Sequence, residues 1–257
     1  MLKNNTSWGN IAGEYDESFS SNPDSYQKQV ILPNIARMVA PVSGDKILDL
    51  ACGSGFFSEA FASAGAEVLG VDISPELIEV AKNRMGDKSN LRIKFESSSA
   101  EKLSVEKEKF NKAVIVLAIQ NIEDVKKTLE NCSNALMPGG KLFIVMNHPA
   151  FRIPKSSAWG FDENEKRQYR RIDLYLSESK EKIDMTPGAS NSKDKKFTVS
   201  FHRPLQYYFK LFHNTGFAVE RLEEWTSHRK SEPGTRSKEE DRMRKEIPLF
   251  LAIELKK

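Results

Sequence analysis

Cysteine is scarce: the 257 residues hold two, Cys52 and Cys132, each inside an apolar stretch. They form no metal-ligand spacing, and no Asp/His cluster does either, so a resident metal is not expected. No apolar run is long enough to suggest a membrane span. The opening stretch MLKNNTSWGN lacks the apolar core of a secretory signal, which makes a cytoplasmic location the expectation. Charge of one sign is not in excess. The net charge is +3, so no whole-chain field argues for nucleic acid. Hydrophobic residues make up 39% and charged residues 29%, the balance of a globular chain. The length suffices for one well-filled core, although two domains would also fit.

What the chain does have is concentrated in Lys46–Ser58, KILDLACGSGFFS, and Val68–Ser74, VLGVDIS. Ile47, Leu48 and Leu50 read as a buried strand interrupted by Asp49. Gly53 and Gly55 bracket Ser54, which lets the backbone turn tightly and approach a ligand without a Cβ in the way. Phe56, Phe57, Ala60, Phe61 and Ala64 then recur at helical spacing. The amides at that helix start suit a carboxylate or a phosphate. The second piece reads as another buried strand ending in Asp72. Together they describe a nucleotide-type cofactor held at the carboxyl ends of adjacent parallel strands. The third glycine of a dinucleotide fingerprint is missing, since position 58 is Ser58. Asp49 would repel a pyrophosphate but would welcome a cofactor with a free ammonium.

These residues resemble class I S-adenosylmethionine-dependent methyltransferases, in the small-molecule, type 11/25-like branch. Further pieces fit in order: FNKAVIVLAIQNIED at Phe110–Asp124, LMPGGKLFIVMNHPAF at Leu136–Phe151 and FHRPLQYYFKLFHNTGF at Phe201–Phe217. The resemblance spans Trp8 to Leu255. It implies an α/β fold with a doubly wound, mostly parallel seven-stranded sheet and an inserted cap. Strands are expected near 46–50, 67–71, 91–95, 112–117 and 141–146, with helical patterns between them. A helix at 204–214 and strands near 217–224 and 249–255 follow. Residues 1–257 then form one methyltransferase domain. Residues 1–44 are a helical lead, 149–203 the substrate cap, and 226–248 a long charged hairpin connection that reads as half helical. Arg167, Arg170 and Arg171 read as a basic helix face within the cap, which also holds a Pro-Gly turn at 187–188.

The resemblance implies roles for particular residues. Ala51, Gly53 and Gly55 shape the cofactor turn. Asp49 meets the amino end of the methionine moiety, Asp72 takes the ribose diol, and Ile73 lies against adenine. Ser99, Ala100 and Glu101 stand where the family has an acid-Ala pair on the adenine amine; position 99 is not acidic, which weakens that contact. Ala118 and Gln120 should line the sulfonium end. Tyr15 and Tyr26 would close over it from the lead, where aromatic rings suit a sulfonium; ordinary helix packing is the alternative.

A sulfonium methyl is already activated, so the protein must place a nucleophile and exclude water. If a base is needed, His148 after the fifth strand and His202 at the base of the cap are the candidates. Either also suits capping a strand or bonding a loop carbonyl. Asn147, Arg152, Trp159, Arg203 and Tyr207 are candidates for the acceptor, and the two arginines suit a carboxylate or phosphate. The expected partner is therefore a small molecule, anionic or aromatic, methylated on oxygen or carbon. A nicotinamide dehydrogenase is disfavoured by Ser58 and Asp49. Nucleic-acid amino-methylation is disfavoured by Ala118–Asn121, which lacks the Asn/Asp-Pro-Pro-aromatic loop. RNA or protein methylation, or a module that binds the cofactor without turnover, stay open.

Overall fold

The computed structural model describes residues 8–13, 16–17, 21–86, 88, 90–186 and 195–257. The strands run, in chain order, β1 (Lys46–Leu50), β2 (Glu67–Asp72), β3 (Ile93–Ser97), β4 (Phe110–Val116), β5 (Leu136–Asn147), β6 (Ser157–Asp162), β7 (Arg167–Ile172), β8 (Ser179–Asp184), β9 (Phe197–His202), β10 (Ala218–Trp225) and β11 (Phe250–Lys256). Seven of them form the central sheet in the order β10-β11-β5-β4-β1-β2-β3. β1 through β5 pair in parallel, and β11 enters antiparallel between β5 and β10. β1 has β2 on one side and β4 on the other, so the connections diverge from it. That divergence opens a crevice at the carboxyl ends of β1 and β4.

The strands sit inside because both of their faces are apolar. In β4, Ala113 and Ile115 face one helix layer, while Val114 and Val116 face the other. Such continuous runs mark strands covered on both sides. One face is covered by α1 (Leu32–Val39) and α2 (Phe56–Ser63), through Ile35, Val39 and Phe61. The other is covered by α4 (Val125–Ala135) and α5 (Leu205–Asn214), through Leu129, Cys132, Tyr208 and Phe212. Between these layers in sequence, α3 (Pro75–Met85) packs Ile78 and Ala81 on Phe95 and Cys52. Its start is written locally: Ser74 Oγ accepts the Leu77 N–H at 3.2 Å, and Pro75 opens the first turn. Among the described residues no helix is long and apolar enough to cross a membrane.

Between β5 and α5 the chain leaves the sheet and makes two antiparallel hairpins, β6–β7 and β8–β9. Arg167, Arg170 and Arg171 therefore lie on a strand, which corrects the helical reading of this segment. RQYRRI alternates between exposed and half-buried positions, the period of a strand with one covered face. Its partner β6 sets Trp159 opposite Arg170. The Pro187–Gly188 turn lies outside the described residues. In the segment 226–248, Ser237–Glu246 forms α6, which docks on the β6–β7 hairpin. Arg236 pairs with Glu163 and covers the Phe161 ring at 4.3 Å, and Glu239 Oε1 accepts the Gln168 N–H at 3.2 Å.

Candidate functional site

The glycine turn after β1 is shaped by backbone that few side chains tolerate. Ala51, Gly53 and Gly55 all have positive φ, at 55°, 56° and 76°. A Cβ on Gly55 would lie 2.7 Å from the Phe95 ring, so both torsion and space require glycine there. The turn is locked to the end of β2. Asp72 Oδ2 accepts the Gly53 N–H at 2.9 Å, and its Oδ1 accepts the Ser74 N–H at 2.9 Å. Burial raises the Asp72 pKa against the opposing pull of those amides.

Asp49, within β1, is 2% exposed and accepts a hydrogen bond from Ser58 Oγ. Ser58, where a dinucleotide fingerprint would place glycine, is thus a donor to the buried acid. Burial pushes Asp49 up to about 7; Ser58 opposes that shift, and the charge of Asp72 adds to it. No lysine, arginine or histidine pairs with either carboxylate among the described residues. Two buried acids that lack a cation are a costly arrangement, and a ligand bearing positive charge relieves it.

Two adjoining spaces and a separate third lie near the carboxyl edge. The first, about 530 Å³, lies between Asp72, Ile73 and Leu77 on one side and Leu117, Ala118 and Ile122 on the other. Leu117 at the end of β4 has φ 55°, mirroring Ala51 at the end of β1. The second, about 380 Å³, shares Ala51, Gly53 and Val116 with the first and reaches Asp49, Gln27 and Phe57. The third lies beside β9, lined by Gln120, Asn147, Arg152, His202, Arg203 and Tyr208. The lead is fastened over the turn by Asp16, which accepts from Ser54 Oγ and from Arg84.

Comparison with known proteins agrees with this geometry. A methyltransferase-domain family model matches residues 47–140, the segment from β1 into β5. The crystal structure of an S-adenosylmethionine dependent methyltransferase from Mesorhizobium loti is similar, with TM-score 0.68 and 27% sequence identity over 88% of this chain and 96% of that one. Residues 47–140 are thus similar to a methyltransferase domain. A ubiquinone biosynthesis O-methyltransferase of Coxiella burnetii is 34% identical over 136 residues, 53% of this chain and 55% of that protein. A demethylmenaquinone methyltransferase of Clavibacter sepedonicus is 35% identical over 108 residues, 42% of this chain and 43% of that protein. The chain spans about half the length of the curated relatives it matches.

The residues present would suit S-adenosylmethionine. Asp72 keeps carboxylate lone pairs for a ribose diol beyond those taken by the two amides. Asp49 lacks the cation that a methionine ammonium would supply. Ala51, Gly53, Ile73 and Ala118 line the first space, and Asp49 lines the second.

Others fall elsewhere. Ser99 Oγ accepts the Glu101 N–H at 3.2 Å, Glu101 Oε1 accepts the Asp124 N–H at 2.9 Å, and Ala100 packs against the core. That trio fastens a loop and is not part of the cleft lining. Tyr26 lines neither of the two spaces beside the turn. Its hydroxyl lies 3.0 Å from Ser227 Oγ, and its ring packs edge-on to His228 and under Arg229. The neighbouring Gln27 lines the cleft instead. Tyr15 lies outside the described residues.

On the acceptor side the structure separates the two histidines. His148 is 3% exposed; its Nε2 is 2.8 Å from Glu224 Oε1, and its Nδ1 accepts the Ala150 N–H at 3.2 Å. Both nitrogens are engaged, and burial lowers its pKa despite Glu224. His202 lines the third space, and its Nε2–H donates to the Tyr175 carbonyl at 2.8 Å. In a neutral ring that bond leaves the lone pair on Nδ1.

Arg203 does not offer its fork to the pocket. It donates to the carbonyls of Ile122 and Glu123 at 3.0 and 2.8 Å. Tyr208, not Tyr207, lines the space, and Trp159 lies 38% exposed on β6 against Arg170. Sequence reading missed Trp8, Gln27, Leu77 and Tyr208. Only Tyr208 had a signal, since it lies at helical spacing from Leu205 and Phe212 on the apolar face of α5.

Proposed function

We propose that this chain transfers the methyl group of S-adenosylmethionine to a small-molecule acceptor, on oxygen or carbon, with the cytoplasm as its compartment. The observation that carries this is the pair of buried, cation-free carboxylates, Asp49 and Asp72, held on either side of Gly53 at the switch point of the sheet. A pyrophosphate would meet repulsion there, whereas an ammonium and a ribose diol meet acceptors. Bound at this turn, the cofactor supplies a methyl on a sulfonium that is already a leaving group. The chain's own work is to hold and to exclude. Asp72 orients the ribose, Ile73 and Leu77 cover the adenine, and Ala118 and Gln120 border the path toward the third space.

His202 Nδ1 is the assigned proton acceptor for an O–H or activated C–H, because its other nitrogen is already committed to Tyr175. His148 is assigned to holding β5 against β10 through Glu224. The aromatic or anionic character of the acceptor rests on Phe201, Tyr208 and Arg152, which line the third space. Methylation on oxygen is what the name of the Coxiella O-methyltransferase says of that relative.

Calorimetric titration tests the reading at its root. S-adenosylmethionine should bind at micromolar concentration and NAD should not. Labelled methyl transfer to a panel of phenols and acids should follow. Absence of S-adenosylmethionine binding, or binding of NAD in its place, would sink the assignment.

A further inference from the structure

Two guanidinium groups, Arg152 and Arg203, line the third space, a third, Arg170, is near enough to Arg152 to act on its charge, and none of the three has a carboxylate within 4.0 Å among the described residues. Arg152 donates Nη1 to Asn147 Oδ1 at 2.7 Å and lies over the Phe250 ring at 5.4 Å. Arg170 donates to the Phe151 carbonyl and to Ser157 Oγ, both at 2.8 Å, and lies over Trp159 at 5.3 Å. Arg203 gives its fork to two main-chain carbonyls and sits between the rings of Phe201 and Tyr207, at 4.6 and 5.1 Å. Every partner is neutral. Several arginines elsewhere meet acids: Arg37 with Glu223, Arg171 with Asp173, Arg221 with Glu254.

A partly buried cation without a counter-charge is unfavourable, and a second cation nearby makes it worse. Burial and the neighbouring Arg170 both lower the Arg152 pKa, while Tyr26 opposes them; no carboxylate contributes. Of the five N–H donors of a guanidinium, Arg152 commits one, on Nη1, to a hydrogen bond among the described residues. The others are left for a ligand in the space it lines. The same space holds the opposite imbalance. Gln120 donates Nε2 to the Leu117 carbonyl at 2.7 Å, and its Oε1 is buried with no donor. A ligand with an anionic end and a hydrogen-bond donor satisfies both.

We propose that the third space is an anion site, in which Arg152, reinforced by Arg170, pairs with the carboxylate of the acceptor while Gln120 Oε1 takes the acceptor's O–H or N–H. The word acceptor rests on the methyltransferase reading; the anion site does not. A carboxylate at Arg152 has two possible sources, the acceptor and the methionine end of the cofactor, and the experiment separates them.

The probe is benzoate against benzamide, titrated calorimetrically at constant ionic strength into the full chain, first alone and then saturated with S-adenosylhomocysteine. Benzoate should bind about tenfold or more tightly than benzamide, with and without the cofactor product. Arg152→Gln should abolish that preference while leaving affinity for S-adenosylhomocysteine within about threefold; Arg152→Lys should keep part of it. Equal binding of benzoate and benzamide by the unmodified chain overturns the proposal, and needs no variant to fold. So does an Arg152→Gln variant that loses S-adenosylhomocysteine in step with benzoate, since the guanidinium would then serve the cofactor. Failure of the chain to bind S-adenosylhomocysteine at all counts against the methyltransferase reading and leaves the benzoate comparison to decide the anion site alone.

Discussion

Raising the pH from 6 to 7.5 should tighten cofactor binding about sixfold through a single group, Asp49. Its carboxyl is pushed up to about 7, chiefly because burial penalises the charged form. The ammonium of the cofactor is held well only by the ionised acid. With that pKa the ionised fraction is about 0.1 at pH 6 and about 0.75 at pH 7.5. An α-ammonium that titrates at about 7.8 is nearly all charged at pH 6 and about 0.7 charged at pH 7.5. The product of the two fractions rises about sixfold, equivalent to about 1 kcal/mol, and beyond about pH 7.5 it falls again as the ammonium is lost. Stability of the free chain runs the other way. The folded form keeps a proton that the unfolded form releases near pH 4, so stability declines from there to about pH 7, and bound cofactor restores part of it. Calorimetry in buffers of different ionisation heat should register proton release to buffer near neutrality. Asp49→Asn should weaken binding and remove the rise between pH 6 and 7.5. A flat or falling affinity in the unmodified chain over that range, or an unchanged rise in the variant, refutes the reasoning.

Other outcomes follow from the same geometry. Asp72→Asn retains an acceptor for one of the two amides, so it should leave the melting temperature nearly unchanged while weakening S-adenosylmethionine about tenfold, read by calorimetry. His202→Gln should cut kcat by a factor of about 10² or more with cofactor affinity unchanged. His148→Gln should keep kcat within about threefold but lower the melting temperature, because it loses the link to Glu224; a reversal of these two phenotypes would exchange their roles. Gly55→Ala should cost about 2 kcal/mol or more in denaturant unfolding, since φ of 76° and the Phe95 ring both oppose a Cβ.

Part of this site could be read without coordinates because its causes are local. Asp49, Gly53, Gly55 and Asp72 lie at ends of short apolar strands, and a parallel sheet leaves those ends on one edge whatever the rest of the chain does. At two places the residue that lines a space is the neighbour of the one expected. Tyr26 and Gln27 are adjacent, as are Tyr207 and Tyr208, but successive helical residues point about 100° apart, so the member that faces the cleft depends on how the helix is seated. The arginines of β7 were read with a helical period because RQYRRI is short and highly charged, and its pairing with β6 comes from outside the segment.

The sequence by itself determined the strand-turn-helix, the parallel order of the first five strands and the two acids at the cofactor turn, since apolar periodicity and glycine torsions act over a few residues. Tertiary structure decided which polar groups remain available. His148 is occupied by Glu224, 76 positions away, whereas His202 keeps one nitrogen free because Tyr175, 27 positions away, takes only the other. Arg203 spends its fork on carbonyls beyond β4, and Arg152 does not. Availability is what remains after every long-range hydrogen bond has formed, and those partners meet only when the sheet, the hairpins and α6 are assembled.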